Sequence, residues 1–511
     1  MTRVAPWLRV LRLAATTCLA LLVIAWLSVF RADGESATTR EALRAAFDDD
    51  IARLVYRWDA GDPRPEEARR DALFDFIYET FDSSAWIPQS LFDSNLLTQV
   101  VTGSVETIVE DKVGLVPWRE NDAVVAYGMA PGAPPDHAGS WTVNCLVCHM
   151  AEIDGVAYFG AGNKTFDDKW LGEALTSLTS RRGRLLLPLS RDHDQAADAY
   201  RILTAHHHDK IDSLTRGRST AFAASYVELY MRPNNGAMPG VDRVGRGDVK
   251  TPPLWHTAAK RSSGRWYSDG SFHGEIPLMA SSMELEKDRS FDALMTTVMP
   301  RIKGQFADVV DHLRPPPYPY PIDRVLAERG KALFYSAEVG CSSCHGVYDG
   351  KGNVDWPGVH VDVGTDRGRL AIVTAGFVEA FNQSPIAAEG SLVPSHGYAA
   401  TPLTGVWANY PYLHNGSVPT LHHLLGPVSE RPAIFDVMAA RSFDRLGVGQ
   451  RLHVDPALDR VDEATLRRRF GRDRNWFTSD REGSSNLGHD MWPRIKTDAN
   501  RAALIEYLKT L

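Results

Sequence analysis

Cys145-Leu146-Val147-Cys148-His149 and Cys341-Ser342-Ser343-Cys344-His345 are the two stretches that decide how this chain is read. In each, cysteines three apart stand on one helical turn with a histidine directly after the second. That spacing lets both thiols bond one planar macrocycle while the imidazole meets its metal, the pattern of a covalently attached haem. A zinc site would need two further Cys or His ligands per pair, and a dithiol redox pair has no use for the histidine in both copies. Four of the five cysteines are used in this way. The fifth, Cys18, sits in an apolar run, which leaves none for a structural disulfide.

With 511 residues and 44% hydrophobic composition, the chain is long enough for several buried cores. Its net charge of -8 and lack of a basic tract argue against a nucleic-acid partner. Arg3, Arg9 and Arg12 precede an apolar run over 13–30, the charge order of an export signal or anchor. Val29-Phe30-Arg31-Ala32 offers no small-x-small cleavage site. An uncleaved N-terminal apolar helix over 1–35 is therefore favoured over a cleaved signal, and it places the body in the periplasm, tethered to the inner membrane.

Apolar residues at helical spacing predict a helix over 40–58, and the stretch to 313 reads as short helices joined by Gly and Pro turns. Arg314-Pro315-Pro316-Pro317-Tyr318-Pro319-Tyr320-Pro321 cannot be helical and is the best boundary in the chain. It separates an N-terminal haem domain over 36–314 from a C-terminal cytochrome c domain over 322–511. Asp323 caps a predicted helix over 324–335. A second is predicted over 500–511, with Gly330 allowing close approach and an aromatic on each partner. The expected fold is mostly α, with two cytochrome-c-like haem domains, long irregular loops and the N-terminal apolar helix.

Around the second motif, 401–407 reads Thr-Pro-Leu-Thr-Gly-Val-Trp and 410–421 reads Tyr-Pro-Tyr-Leu-His-Asn-Gly-Ser-Val-Pro-Thr-Leu. This resembles the TPxLxxV and PYxHxGSxxTL segments of the bacterial di-haem cytochrome c peroxidase superfamily, which includes the enzyme that matures methylamine dehydrogenase and the rubber oxygenases. Lys250-Thr251-Pro252-Pro253-Leu254-Trp255, followed by Trp266-Tyr267-Ser268-Asp269-Gly270, is similar to a second family stretch. The wide separation of the haem motifs and the ending Ser485-Asn486-Leu487-Gly488-His489 favour the rubber-oxygenase-like branch. The resemblance runs from about 139 to 511, and the chain is shorter than the characterised rubber oxygenases.

The resemblance implies two covalent haem c groups, with calcium between them left open. The first haem, held by Cys145, Cys148 and His149, reacts with peroxide, oxygen or an organic substrate. The second, held by Cys341, Cys344 and His345, exchanges electrons with a donor protein or a small electron donor. His489 is implied as the second haem's distal ligand, with His414 as rival. Trp255 stands as the aromatic between the haems, Phe272 as a wall of the distal pocket and Glu275 as a distal base. Met150, Met231, Met238, His256 and His273 are candidate sixth ligands at the first haem, although such side chains are more often core or surface. Adjacent His206, His207 and His208 cannot converge on one ion. A pure electron-transfer cytochrome with both irons six-coordinate is the alternative function.

Overall fold

The computed structural model describes residues 44, 47, 51–78, 87–88, 108–120, 123–131, 140–167, 215–219, 247–263, 269–281 and 290–511. The apolar run over 13–30, Cys18, His206, His207, His208, Met231, Met238 and residues 266–268 lie outside the described residues. Among the described residues no helix is long and apolar enough to cross a membrane.

The helix expected over 40–58 does not reach its predicted end. Arg44, Phe47 and Ile51 are helical, but Leu54–Val55 (β1) and Arg57–Trp58 (β2) are short strands. Val55, Tyr56 and Trp58 suit an extended backbone, and pairing partners elsewhere in the chain capture it. Helix α1, Glu66–Tyr78, carries two glutamates at its positive end and buries Leu73, Phe74, Phe76 and Ile77. Phe76 packs edge-on to Phe159 with ring centroids 5.6 Å apart.

Met150–Ile153 (β3) leaves the first haem motif directly and turns back as Val156–Phe159 (β4). Asp154 and Gly155, at φ of 49° and 76°, make the two-residue turn whose backbone twist matches paired strands. β1 joins this hairpin as a parallel third strand. Phe272–Gly274 (β5) pairs with Gly390–Leu392 (β7), and Leu313–Arg314 (β6) pairs with β2.

Helices Arg324–Phe334 (α2) and Asp498–Leu508 (α3) form the tightest helix pair. Asp323 caps the first by accepting from Leu326 N at 3.0 Å, and Thr497 caps the second. The close approach expected at Gly330 is present: a Cβ there would collide with the Ala503 carbonyl. Phe334 and Tyr507 fill the flanking space with ring centroids 5.2 Å apart.

The expectation of a mostly α chain with two cytochrome-c-like haem domains is overturned. The structure is 40% helical and 16% strand, and two haem domains are not shown. One core cluster runs from Phe47 to Leu508. The β2–β6 and β5–β7 pairs link segments far apart in sequence, and Asp269 and Arg369, both almost wholly buried, form an ion pair at 2.6 Å. Strands of two or three residues leave no alternation to read, which is why these segments pass for loops in the sequence. The proline-rich segment is extended as expected, but Pro315, Pro316 and Tyr318 are buried. Trp407 Nε1 donates to the Pro316 carbonyl at 3.0 Å.

Two glycines in helices provide a matched test of this packing. Gly330→Ala is expected to destabilise by about 1–3 kcal/mol through overpacking. Gly304→Ala, where a Cβ meets nothing within 4 Å, is expected to be neutral or to stabilise by up to about 1 kcal/mol. Denaturant melts of the two variants check both signs.

Candidate haem-binding site

The two motifs fold alike. His149 N donates to the Cys145 carbonyl at 3.0 Å, and His345 N donates to the Cys341 carbonyl at 3.0 Å. Each motif is thus one turn of helix, Leu146–His149 or Ser342–His345, with its cysteines partly exposed. Asn144 positions the first turn, its Oδ1 accepting from Leu146 N at 2.9 Å while its Nδ2 donates to the Ile77 carbonyl. Asn163 holds the same turn from the far side. Its N donates to the Cys148 carbonyl at 2.7 Å, and its Nδ2 donates to the Val147 and Gly114 carbonyls at 3.0 Å.

At the second motif, His345 Nδ1 lies 2.8 Å from the Thr401 carbonyl. A carbonyl only accepts, so Nδ1 carries the proton and Nε2 presents its lone pair, as a metal-ligating imidazole must. Burial pushes the His345 pKa down, keeping the ring neutral. His489 stands opposite, with ring centroids 6.2 Å apart. Two imidazoles sharing one metal between them would sit roughly 6.3 Å apart, given metal–nitrogen bonds of about 2.0 Å. The pair therefore fits an iron held by two histidines.

The loop carrying His489 is built for that placement. His489 itself has φ of 47° and Gly488 has φ of 80°, and a Cβ at 488 would collide with the Gly364 backbone. His489 N donates to the Val363 carbonyl at 2.8 Å. Buried Arg431 donates to the carbonyls of Asn486 at 2.6 Å, Gly488 at 2.8 Å and His489 at 3.3 Å. Burial, His345 and Arg431 together lower the His489 pKa to about 4.

At the first motif, burial lowers the His149 pKa to about 4, and the Pro252 carbonyl opposes that shift. A Thr-Pro pair borders each histidine, but differently: His345 Nδ1 bonds the Thr401 carbonyl, whereas Pro252 lies near His149, whose buried Nδ1 makes no hydrogen bond among the described residues. A buried tryptophan follows on a single 3₁₀ turn in both cases, Trp255 on Leu254–His256 and Trp407 on Val406–Ala408. Trp255 lies beside Gly160, whose N donates to the His149 carbonyl, and beside Gly405, four residues after Thr401.

The remaining candidates are scattered. Met150 is buried on β3 in the core, and His256 Nε2 is engaged by the Thr404 carbonyl at 2.8 Å. His273 lies on β5 with a buried Nε2 that lacks a hydrogen-bond partner among the described residues. His414 stacks on Tyr398 at 3.8 Å, and burial drives its pKa down to about 3. Phe272 is fully buried beside Gly390, whereas Glu275 is exposed. Among the described residues no group of three His, Cys, Asp or Glu is placed to hold a free metal ion. Asn163, Arg431 and Thr401 have positioning roles that the sequence reading missed. The first two carry no motif, and the third sits in plain view within the quoted Thr-Pro segment.

A family model described as "RoxA-like, cytochrome c-like" matches residues 397–436, which include Tyr398, Thr401, His414 and Arg431. An uncharacterized protein of Sinorhizobium fredii, y4iM, is 31% identical over 300 residues, covering 51% of this chain and 63% of that relative. A second uncharacterized protein of the same organism, y4iJ, is 39% identical over 123 residues, 22% of this chain and 18% of the relative. The chain thus spans less than two thirds of either relative. The matched segment supports a cytochrome c and rubber-oxygenase-like relationship, and with it a haem-containing redox protein whose cofactor is haem c.

Arg431→Met removes the donors that hold the 486–489 loop and strands buried carbonyls. A stability loss of about 1.5–3 kcal/mol is expected. Hydrogen exchange should accelerate across 485–489 and stay unchanged in α2 and α3. Uniform acceleration through both helices would contradict a local clamp.

Proposed function

We propose that this chain is an exported di-haem c-type cytochrome of the di-haem peroxidase superfamily. In this reading the haem at Cys145, Cys148 and His149 reacts with oxygen or peroxide, and the haem at Cys341, Cys344 and His345 passes electrons. The observation that carries it is an asymmetry between two similar motifs. His345 is faced by His489 across a gap that fits an iron, whereas among the described residues no second imidazole faces His149. His345 and His489 together would hold an iron suited to electron transfer, whereas His149 alone would hold one suited to chemistry with a small molecule.

Haem supplies the redox chemistry and the place where a small oxidant binds. The chain's own residues orient and insulate it. Asn144 and Asn163 fix the first turn, with the Pro252 carbonyl near the His149 ring. Trp255, which packs beside Gly160 and Gly405, would offer an aromatic path for electrons once haem is bound at both motifs. The exposure of Glu275 favours oxygen over peroxide, since a carboxylate that shuttles protons to an oxidant works best where water is excluded. A redox donor protein or small electron donor would supply electrons, and an oxidant or organic substrate would consume them. The order of Arg3, Arg9, Arg12 and the apolar run over 13–30 supports export to the periplasm.

Low-temperature electron paramagnetic resonance of the ferric protein, before and after cyanide, tests this reading. The expected result is one high-spin signal that cyanide converts and one low-spin signal that it leaves alone. His489→Gly should then render the second signal sensitive to cyanide as well. Two low-spin signals unmoved by cyanide, in both resting and half-reduced protein, would establish pure electron transfer instead.

A further inference from the structure

Two lysines beside the first motif carry positive charge into the interior with no anion to meet it among the described residues. Lys164 is only 5% exposed; its Nζ makes one long hydrogen bond, 3.3 Å to the Gly162 carbonyl, and lies 4.6 Å from the Tyr410 ring centroid. Lys250 is partly buried, donates to the Asn409 carbonyl and lies 5.7 Å from the Tyr412 ring. Among the described residues neither ammonium has a carboxylate partner, and the charged groups that act on Lys250 are Lys164 and Arg218, both repulsive. Arg218 is satisfied differently, by the carbonyls of Asn415, Arg216 and Gly416 and by the field of Asp248.

An ammonium with three donors is costly to bury with one bond, and two neighbouring ones repel. Burial accordingly lowers the Lys164 pKa to about 7 and that of Lys250 well below its usual value. Their places in the chain say what kind of anion belongs there. Lys164 follows Asn163, which grips the Cys145–Cys148 turn, and Lys250 precedes Thr251-Pro252, whose carbonyl borders His149. Haem has two carboxylate arms, its propionates, and both lysines spring from segments that wrap the first haem motif.

We propose that Lys164 and Lys250 form a carboxylate-binding pair that receives the propionates of the haem attached through Cys145 and Cys148. The pair holds that haem's anionic edge inside the protein, and its positive charge favours the ferrous state. This assignment rests on the first motif carrying haem. Peptide mass after proteolysis reads that occupancy separately: an unmodified 145–149 peptide would defeat the di-haem reading itself.

With occupancy established, oxidised-minus-reduced infrared difference spectra and redox titration of the holoprotein test the pair. Lys164→Met and Lys250→Met, close in volume to the native side chains, are each expected to shift the propionate carboxylate bands. Each should also favour the ferric first haem by about tenfold or more, a fall of about 59 mV per tenfold for a one-electron couple. Lys164→Arg, which keeps the charge, should stay near wild type. Unmoved bands and potential in both Met variants would overturn the assignment. So would a wild-type protein whose bands respond to added acetate while the variants do not, because the pair would then be a site for a free anion.

Discussion

The 2.8 Å hydrogen bond between His345 Nδ1 and the Thr401 carbonyl fixes which ring nitrogen bears a proton and therefore which one is left for a metal. The surrounding elements keep that bond in register. Tyr348 donates to the His345 carbonyl at 2.7 Å and accepts from Leu403 N at 2.8 Å, locking the motif to the segment that carries Thr401. Tyr335, at the end of α2, accepts from Tyr348 N at 2.9 Å and meets Tyr507 of α3 at 3.3 Å. The tight helix pair at Gly330 thus reaches the imidazole through two tyrosines. On the opposite side Arg431 does the equivalent for His489, using carbonyls rather than hydroxyls.

The first motif has similar neighbours without that bond. Thr251-Pro252 and Thr401-Pro402 each lead into a 3₁₀ turn with a buried tryptophan, but only Thr401 gives its carbonyl to the motif histidine, and His149 Nδ1 is left without a hydrogen bond among the described residues. Trp407 is absorbed by an aromatic cluster with Tyr158, Tyr318 and Phe443, at centroid distances of 5.5 to 5.8 Å. Trp255 is flanked by glycines and keeps an indole N–H without a partner among the described residues. The two tryptophans, four residues after Thr251 and six after Thr401, are therefore put to different uses, Trp407 in an aromatic cluster and Trp255 against glycines.

What could be read from the sequence was what is local. The cysteine and histidine spacing, the Asp323 cap and the small residue at 330 each depend on neighbours within a turn or on one contact between regular helices. His489 stands out in the sequence only because its five-residue surroundings resemble those of a known branch. The helix over 40–58 was misjudged because its apolar spacing also suits strands, and a distant partner decided between them. Asn163, Arg431 and the Asp269–Arg369 ion pair have no local signature at all. Each is defined by carbonyls or charges that only the folded chain brings near.

The strand pairs that cross the proline-rich segment also set an order of events. β2 is completed by residues 313–314 and β5 by residues 390–392, so neither can close until much later parts of the chain have emerged. Long-range pairings of this kind form slowly, because each must first close a large loop. The first pair of thiols therefore waits in an incompletely folded chain while the rest is made. Through that interval the segments around Cys145 and Cys148 lack the long-range pairs that later pin them.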